Sequence, residues 1–301
     1  MKNKKIVVTG GAGFIGSNLV DALVEQNYDV HVIDNLSGGT KNDVNPKATL
    51  HQKDIRNLKD IKPIFRNAMY VFHLAALPRV QFSIENPIET HDVNVTGTLN
   101  VFIASKEAGV KRVVYSASSS AYGDQSVMPL TEDMIPNPKS PYGLHKYVGE
   151  VYAKVWSSVY GLETVSLRYF NVYGPRFNPD GAYALVIGKF LKLTKKGKPL
   201  TITGDGKQTR DFTHVRDVVR ANILAATSDK VGKGEVINIG AGRNQSINRI
   251  AELVGGTVEF VPARLEPKDT LANNSLAKKL LGWIPEVKIE DGIEELKKKY
   301  L

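Results

Sequence analysis

A chain of 301 residues, 42% hydrophobic and 24% charged, has the composition of one large or two modest globular domains with a sizeable core. No apolar run approaches the roughly 20 residues of a membrane span, and the N-terminus leads straight into a strand, so neither a membrane segment nor a secretory leader is expected and the cytoplasm is the expected location. The absence of cysteine excludes disulfides and thiolate chemistry, and a net charge of +9 on dispersed lysines without interleaved aromatics suits a phosphorylated small substrate better than nucleic acid.

The first predicted strand, residues 5–9, runs into Gly10-Gly11-Ala12-Gly13-Phe14-Ile15-Gly16 and a helix over 14–26. Gly10, Gly13 and Gly16 permit a tight turn, close approach of a pyrophosphate and close helix–strand packing, and the helix start offers free N–H groups to phosphate oxygens. No Gly-Lys-Ser/Thr follows, which argues against a mononucleotide phosphate loop. A second strand over 29–33 ends at Asp34, 18 positions beyond Gly16 and near the offset of about 20 at which a carboxylate receives the adenosine ribose of NAD and repels a 2′-phosphate. The plain alternative is a strand-end turn aspartate. Asp54-Ile55 stands where it could flank an adenine.

Helices are predicted over 57–65, 93–108 and 142–160, alternating with strands over 70–74, 112–115 and 164–168. This order, with Val/Ile-rich strands, predicts a Rossmann-like α/β fold: a doubly wound parallel sheet over residues 1–170 with helices on both faces. From Asn171 the chain becomes turn-rich. Short strands, a polar loop over 262–269 and helices over 276–281 and 289–300 predict a smaller α/β substrate-binding region, 171–301, with interleaved boundaries.

Tyr115-Ser116-Ala117-Ser118-Ser119-Ser120 puts hydroxyls at the carboxyl end of a buried strand, where parallel sheets bind ligands. Tyr142 and Lys146 share a helix face at i, i+4. An ammonium there favours phenolate and draws a tyrosine from its usual pKa of about 10 toward working pH, making a general base for a hydroxyl proton. An exposed surface pair is the bland alternative, since twelve tyrosines in a lysine-rich chain give such spacing by chance. The six histidines do not cluster with carboxylates at metal-ligand spacings, so no metal is expected.

Thr9 to Gly16, Asp34-Asn35, His73-Leu74-Ala75-Ala76, the serine strand end, Tyr142-x-x-x-Lys146 and Arg168-Tyr169-Phe170-Asn171 together resemble the extended short-chain dehydrogenase/reductases, and within them the NAD-dependent nucleotide-sugar 4-epimerases. The resemblance spans nearly the whole chain. It implies Tyr142 as base, Lys146 as ribose ligand and Ser118 as hydrogen-bond partner of the sugar O4. It implies an NAD site of Gly10, Gly13, Phe14, Ile15, Gly16, Asp34, Asn35, Ser37, Gly38, Asp54, Ile55, Leu74, Ala75, Ala76, Asn94 and Phe170. A UDP-sugar would be held by Ser118, Ser120, Asn171, Val186, Thr201, Ile202, Thr203, Arg210, Arg264, Glu266 and Thr270. The implied chemistry is reversible oxidation at C4 through a 4-keto sugar, with NAD regenerated each turnover. A homodimer is implied through the helices at 93–108 and 142–160.

Sister activities put acids at the strand end, Asp-Glu in dehydratases and Glu at the second position in decarboxylases. Ser119 and Ser120 stand there instead and leave a C5 proton without its catalyst. Pro78 replaces a lysine common near the pyrophosphate, with Arg79 as the candidate substitute. Thr270, where a larger tyrosine would narrow the sugar pocket, and the 178–183 segment suggest room for an N-acetyl group. A UDP-uronate epimerase, a net oxidoreductase of the same fold, and a non-enzymatic NAD-sensing or RNA-binding module are the competing readings.

Overall fold

The computed structural model describes residues 4–177, 186–263 and 269–301. In chain order, β1 (Lys5–Thr9), α1 (Phe14–Glu25), β2 (Asp29–Asp34), β3 (Thr49–Gln52), α2 (Leu58–Ile61) and β4 (Ala68–His73) come first. They are followed by α3 (Val80–Glu85), α4 (Pro87–His91), α5 (Gly97–Glu107), β5 (Arg112–Ser118), α6 (Pro141–Tyr160) and β6 (Glu163–Tyr169). The C-terminal part holds β7 (Val172–Tyr173), α7 (Val186–Lys195), β8 (Leu200–Thr203), β9 (Thr209–Asp211), β10 (Thr213–His214), α8 (Val215–Thr227) and β11 (Lys233–Ile239). It ends with β12 (Asn244–Ser246), α9 (Ile247–Val254), β13 (Val258–Val261), α10 (Ser275–Leu281) and α11 (Ile289–Tyr300).

Among the described residues a seven-stranded sheet in the order β11-β6-β5-β4-β1-β2-β3 forms the centre, every adjacent pair parallel. Its inner strands carry unbroken apolar runs such as Ile6-Val7-Val8 because both faces are covered. On one face Leu19, Val20 and Leu23 of α1 meet Val218 and Ala225 of α8; on the other Phe102 of α5 meets Tyr115 and Trp156 of α6. A separate core of Phe190, Leu191, Ile202, Ile250 and Leu296 lies in the C-terminal region. No helix among the described residues is long and apolar enough to cross a membrane.

The domain boundary at 170 is more deeply interleaved than two consecutive blocks. The chain leaves the sheet after β6, then returns with α8 and β11 to complete one face and one edge of it. β3, outside the predicted strands, is a half-polar Thr-Leu-His-Gln edge strand with a single neighbour, so it lacks the apolar run of the interior strands. The helix predicted over 93–108 begins earlier: α4 continues through a π turn at Asp92–Thr96 into α5 without leaving helical backbone angles at its joints. Such a turn rotates the residues before it relative to those after it, and Asn94 sits at its middle.

Candidate active site

The strand order reverses between β1 and β4, so the loops after these two strands diverge and open a crevice at the carboxyl edge of the sheet. Gly10 is required there: its φ is +73°, and a Cβ would lie 2.6 Å from the Ala75 nitrogen. Gly16 brings α1 against the loop, since its Cβ would lie 2.0 Å from the Gly10 oxygen. Helix α1 starts at Gly13 with no side-chain cap and no acid in its first turn, leaving the positive end of its dipole at Phe14 and Ile15 for an anion. Gly38 answers to no packing constraint, because nothing lies within 4 Å of where its Cβ would be.

Asp34 at the end of β2 fastens this crevice. Its carboxylate accepts from the Ala12 nitrogen (2.9 Å) and the Leu36 nitrogen (2.8 Å), joining the glycine loop to the loop that carries Asn35, Ser37 and Gly38. Burial raises its pKa, and the two N–H donors act against that rise. Asp54 is held by Arg56 (2.7 Å) and by the Asn35 amide (3.0 Å); its pKa falls to about 2, the Arg56 hydrogen bond being the main cause. The predicted cofactor residues from the glycine loop, β2 and the start of the next segment are therefore gathered along one edge. Ile55 differs: its side chain is buried against Gly97, packing into the α5 layer.

Beneath the crevice His73 forms a buried relay. The Thr98 hydroxyl donates to the Asn94 carbonyl (2.7 Å), so it accepts from His73 Nε2 (2.9 Å). His73 Nδ1 then accepts from the Thr9 hydroxyl (2.7 Å), whose oxygen accepts from the Ala75 nitrogen (3.3 Å). Every polar atom is satisfied with neutral imidazole, whose pKa burial lowers to about 3. Asn94 pins the other side of the crevice, donating to the Leu77 carbonyl (2.9 Å) and accepting from the Leu77 nitrogen (2.7 Å). Its side chain shapes the Leu74-Ala75-Ala76 loop and, being engaged with protein, is not an exposed cofactor ligand. Arg79, the candidate replacement for a phosphate-binding lysine, is exposed at the cap of α3.

The Tyr142–Lys146 pair lies on the first turns of α6, started by Ser140, whose hydroxyl accepts from the Gly143 nitrogen (3.1 Å), and by Pro141 at the first helical position. The Tyr142 nitrogen donates to Ser83 Oγ (3.1 Å), tying this turn to α3. Ser118, at the end of β5, hydrogen-bonds the Tyr142 phenol and donates to Ser120 Oγ (3.1 Å). Tyr142, Ser118 and Ser120 thus converge as predicted. The predicted electrostatics do not. Burial pushes the phenol up to about 12, with Ser118 the contact that works against the rise. Lys146, itself buried, is lowered by burial to about 7, is partly restored by Glu150, and donates to the Ser116 carbonyl at 2.6 Å. The i, i+4 spacing sets the shared face; which acceptor the ammonium meets is set by β5 packed against it.

Behind the pair stands a buried polar chain that motif reading missed. Glu150 receives Arg168 Nε (2.8 Å) and Nη2 (2.6 Å), the Arg168 guanidinium lies 4.3 Å from the Tyr122 ring, and the Tyr122 hydroxyl donates to Asn238 (2.7 Å). The i+4 step from Tyr142 to Lys146 repeats from Lys146 to Glu150, a signal visible in the sequence.

Just after β6, Asn171 has a φ of 31° and its amide donates to the Asp211 carbonyl (3.1 Å) and toward Thr270 Oγ1 (3.4 Å). Asp211 accepts from Ala241, Gly242 and Ala272 nitrogens, which joins β9 to the segments after β11 and before α10; burial raises its pKa to about 6. Arg210 donates to the Thr209 carbonyl (2.8 Å). Thr201 is exposed and Thr203 partly so, but Ile202 alternates inward and packs in the C-terminal core with Leu200. Phe170, too, is fully buried, its ring among Tyr122, Leu130 and Ala272. Neither the Ile202 nor the Phe170 side chain faces a ligand crevice. Val186 opens α7. Arg264, Glu266 and the 178–183 segment lie outside the described residues.

Comparison with known proteins bears directly on this arrangement. Residues 6–240 match the profile of the NAD dependent epimerase/dehydratase family, and the chain belongs to that family. The fold superposes with a TM-score of 0.94 on a UDP-N-acetylglucosamine 4-epimerase from Methanobrevibacter ruminantium, at 39% identity over 99% of this chain and 98% of that one. It superposes with a TM-score of 0.92 on a UDP-glucose 4-epimerase from Thermotoga maritima, at 38% identity over 98% and 99% of the two chains. A UDP-glucuronate 4-epimerase of Thermodesulfobacterium geofontis is 38% identical over 311 residues, 96% of this chain and 93% of the relative.

NAD is the family's cofactor, and the residues present fit it: an uncapped helix start for the diphosphate, a glycine at position 10 whose Cβ would meet the Ala75 backbone, and Asp34 for ribose hydroxyls. When bound, NAD supplies a nicotinamide ring that accepts hydride from an alcohol carbon and returns it.

Proposed function

We propose that the protein is a UDP-sugar 4-epimerase that accepts UDP-glucose and UDP-galactose and also their N-acetylated forms. The carrying observation is the convergence of Tyr142, Ser118 and Lys146 at the carboxyl end of β5, beside the dinucleotide crevice, with hydroxyls rather than acids at 119 and 120. Tyr142 accepts the proton of the sugar hydroxyl and later gives it back. Ser118 hydrogen-bonds the same oxygen and holds the phenol in line. With Ser119 and Ser120 in place of carboxylates, no group at this strand end abstracts a ring C–H proton or drives loss of water, so oxidation and return at one carbon is the reaction these side chains support. On this reading Asn171 and Arg210 hold the nucleotide diphosphate, Thr201 lies beside the uracil, and the small Thr270 side chain admits an N-acetyl group.

The second reading, a UDP-glucuronate substrate, is favoured by the Thermodesulfobacterium relative. A panel of UDP-glucose, UDP-N-acetylglucosamine and UDP-glucuronate, each followed by NMR for its 4-epimer, separates the two. Tyr142→Phe is expected to lower turnover by about 10²–10⁴, the range of a lost general base, while NAD stays bound. Undiminished turnover in that variant overturns the assignment of the base.

The same reading extends to a homodimer. Leu144, Val151, Val155 and Val159 expose one apolar side of α6, next to Ile84 of α3 and Ile88 of α4; Val159 and Ile88 are 68% and 78% exposed. A second copy that pairs these helices would cover the stripe.

A further inference from the structure

Lys146 is buried, with 4% of its surface exposed. Tyr142 and Glu150 flank it along α6, His73 faces it from β4, the Tyr115 ring lies 5.2 Å from its nitrogen on β5, and Arg168 and Tyr169 stand on the neighbouring strand β6. Of these groups only Glu150 brings a negative charge. His73 is locked neutral by its two threonines, burial raises the Tyr115, Tyr142 and Tyr169 phenols and so favours their neutral forms, and Arg168 is a second cation. Glu150 is 3% exposed, and both its oxygens accept from Arg168, an arrangement that belongs to a carboxylate and fixes its position against β6.

A buried ion pair is weak support for stability, because taking two charges out of water costs about as much as their attraction returns. This one leaves Arg168 Nη1 buried without a hydrogen-bond partner. Its placement one helical turn from Lys146 is therefore better explained by what it does to the third charge.

Resting on the epimerase reading for its catalytic meaning, we propose that Glu150, fixed by Arg168, is a positioning residue that keeps the Lys146 head group an ammonium and aimed at the Ser116 carbonyl, beside Tyr142. An opposite charge one helical turn away favours the ionised lysine, whereas burial alone favours the neutral amine. Burial raises the Glu150 carboxyl and its bond to Arg168 acts against that rise, so Arg168 preserves the negative charge on which Lys146 depends. A neutral Lys146 would weaken its hold on a ribose hydroxyl and withdraw the positive charge that favours the Tyr142 phenolate.

The test reads Lys146 directly. In protein carrying ¹³C-lysine, with the Lys146 ε-carbon resonance identified by its loss in Lys146→Met, the resonance is followed from pH 5 to pH 10 in the NAD-loaded protein. Glu150→Gln is expected to move the Lys146 titration down by about one pH unit or more. Glu150→Asp, which restores the carboxylate, is expected to recover most of the shift. The alkaline limb of the kcat profile should move with it, while the circular dichroism spectrum stays that of the parent. Should Glu150→Gln fail to fold, Glu150→Met with Arg168→Met removes both charges without stranding either, and the same downward shift is expected. A Lys146 titration at the parental pH in either folded variant overturns the proposal. Absence of any epimerase turnover in the parent would instead refute the reading of function, leaving the lysine titration to decide this one.

Discussion

At the scale of single residues, burial opposes the ionised forms that catalysis needs. The Tyr142 phenol sits at about 12 and Lys146 at about 7, both displaced chiefly by loss of solvent. Thr270 braces its surroundings, since its hydroxyl accepts from the Asp211 nitrogen (3.3 Å) and receives the Asn171 amide. Thr270→Tyr is expected to depress kcat/KM for the N-acetylated substrates at least ten times more than for the plain hexoses, a difference of about 1.4 kcal/mol. Equal losses for both would show that the hydroxyl braces the site without setting its width. Histidines shape the acid response. Burial lowers His73 to about 3 and His145 and His214 to about 4, against an ordinary 6.5. The unfolded chain therefore binds protons that the native state refuses, and stability falls as pH drops from about 6.5 toward 4. Asp211 acts in the opposite sense, because its raised pKa costs stability as pH rises toward about 6. Comparison of thermal unfolding midpoints between parent and His145→Gln isolates one member. The variant should lose on the order of 1–2 kcal/mol of the acid sensitivity, and parallel curves would exclude His145 as a contributor.

At the scale of elements, α6 is the part on which the site depends. It presents Tyr142, Lys146 and Glu150 along one side and docks on β5 because Gly149 admits the Tyr115 ring, whose hydroxyl reaches the Lys146 carbonyl (3.4 Å). A Cβ at position 149 would stand 2.2 Å from that ring. Gly149→Ala should therefore lift α6 from the sheet and cost about 1–3 kcal/mol in urea unfolding despite the better helix propensity of alanine. An unchanged midpoint would mean that the ring has room to move aside. The π turn ahead of α5 works similarly at a different place. It positions Asn94 for two bonds to Leu77 that a regular helix would carry out of register.

At the scale of the molecule, the C-terminal part of the chain does not sit beside the sheet as a separate body. Its helix α8 packs in the same core as α1 and its strand β11 forms one edge of the sheet, which ties the C-terminal part to the N-terminal part. The apolar stripe on α6 and α4 argues for a dimer, and Val155→Glu with Val159→Glu is expected to give a monomer by light scattering while the fold persists. A dimer that survives both charges would place the subunit contact elsewhere.

Local chemistry explains what was legible in the sequence. Gly10, Gly16 and Asp34 declare their roles because a positive φ, a close helix approach and a strand-end carboxylate are short-range requirements. Tyr142 and Lys146 share a face by helical period alone, and the serines follow directly from β5. Long-range partners were hidden. Lys146 meets the Ser116 carbonyl 30 positions away, and Asn238 comes 116 positions to meet Tyr122. The inward turn of Phe170 and Ile202 likewise depends on which surface packs above them. By itself, then, the sequence determined the sheet, the crevice and the pair of residues that face each other across one helical turn. Only the tertiary structure decided the protonation balance of that pair, because the burial, the Ser116 carbonyl that receives Lys146 and the Arg168 that holds Glu150 come from strands packed against α6.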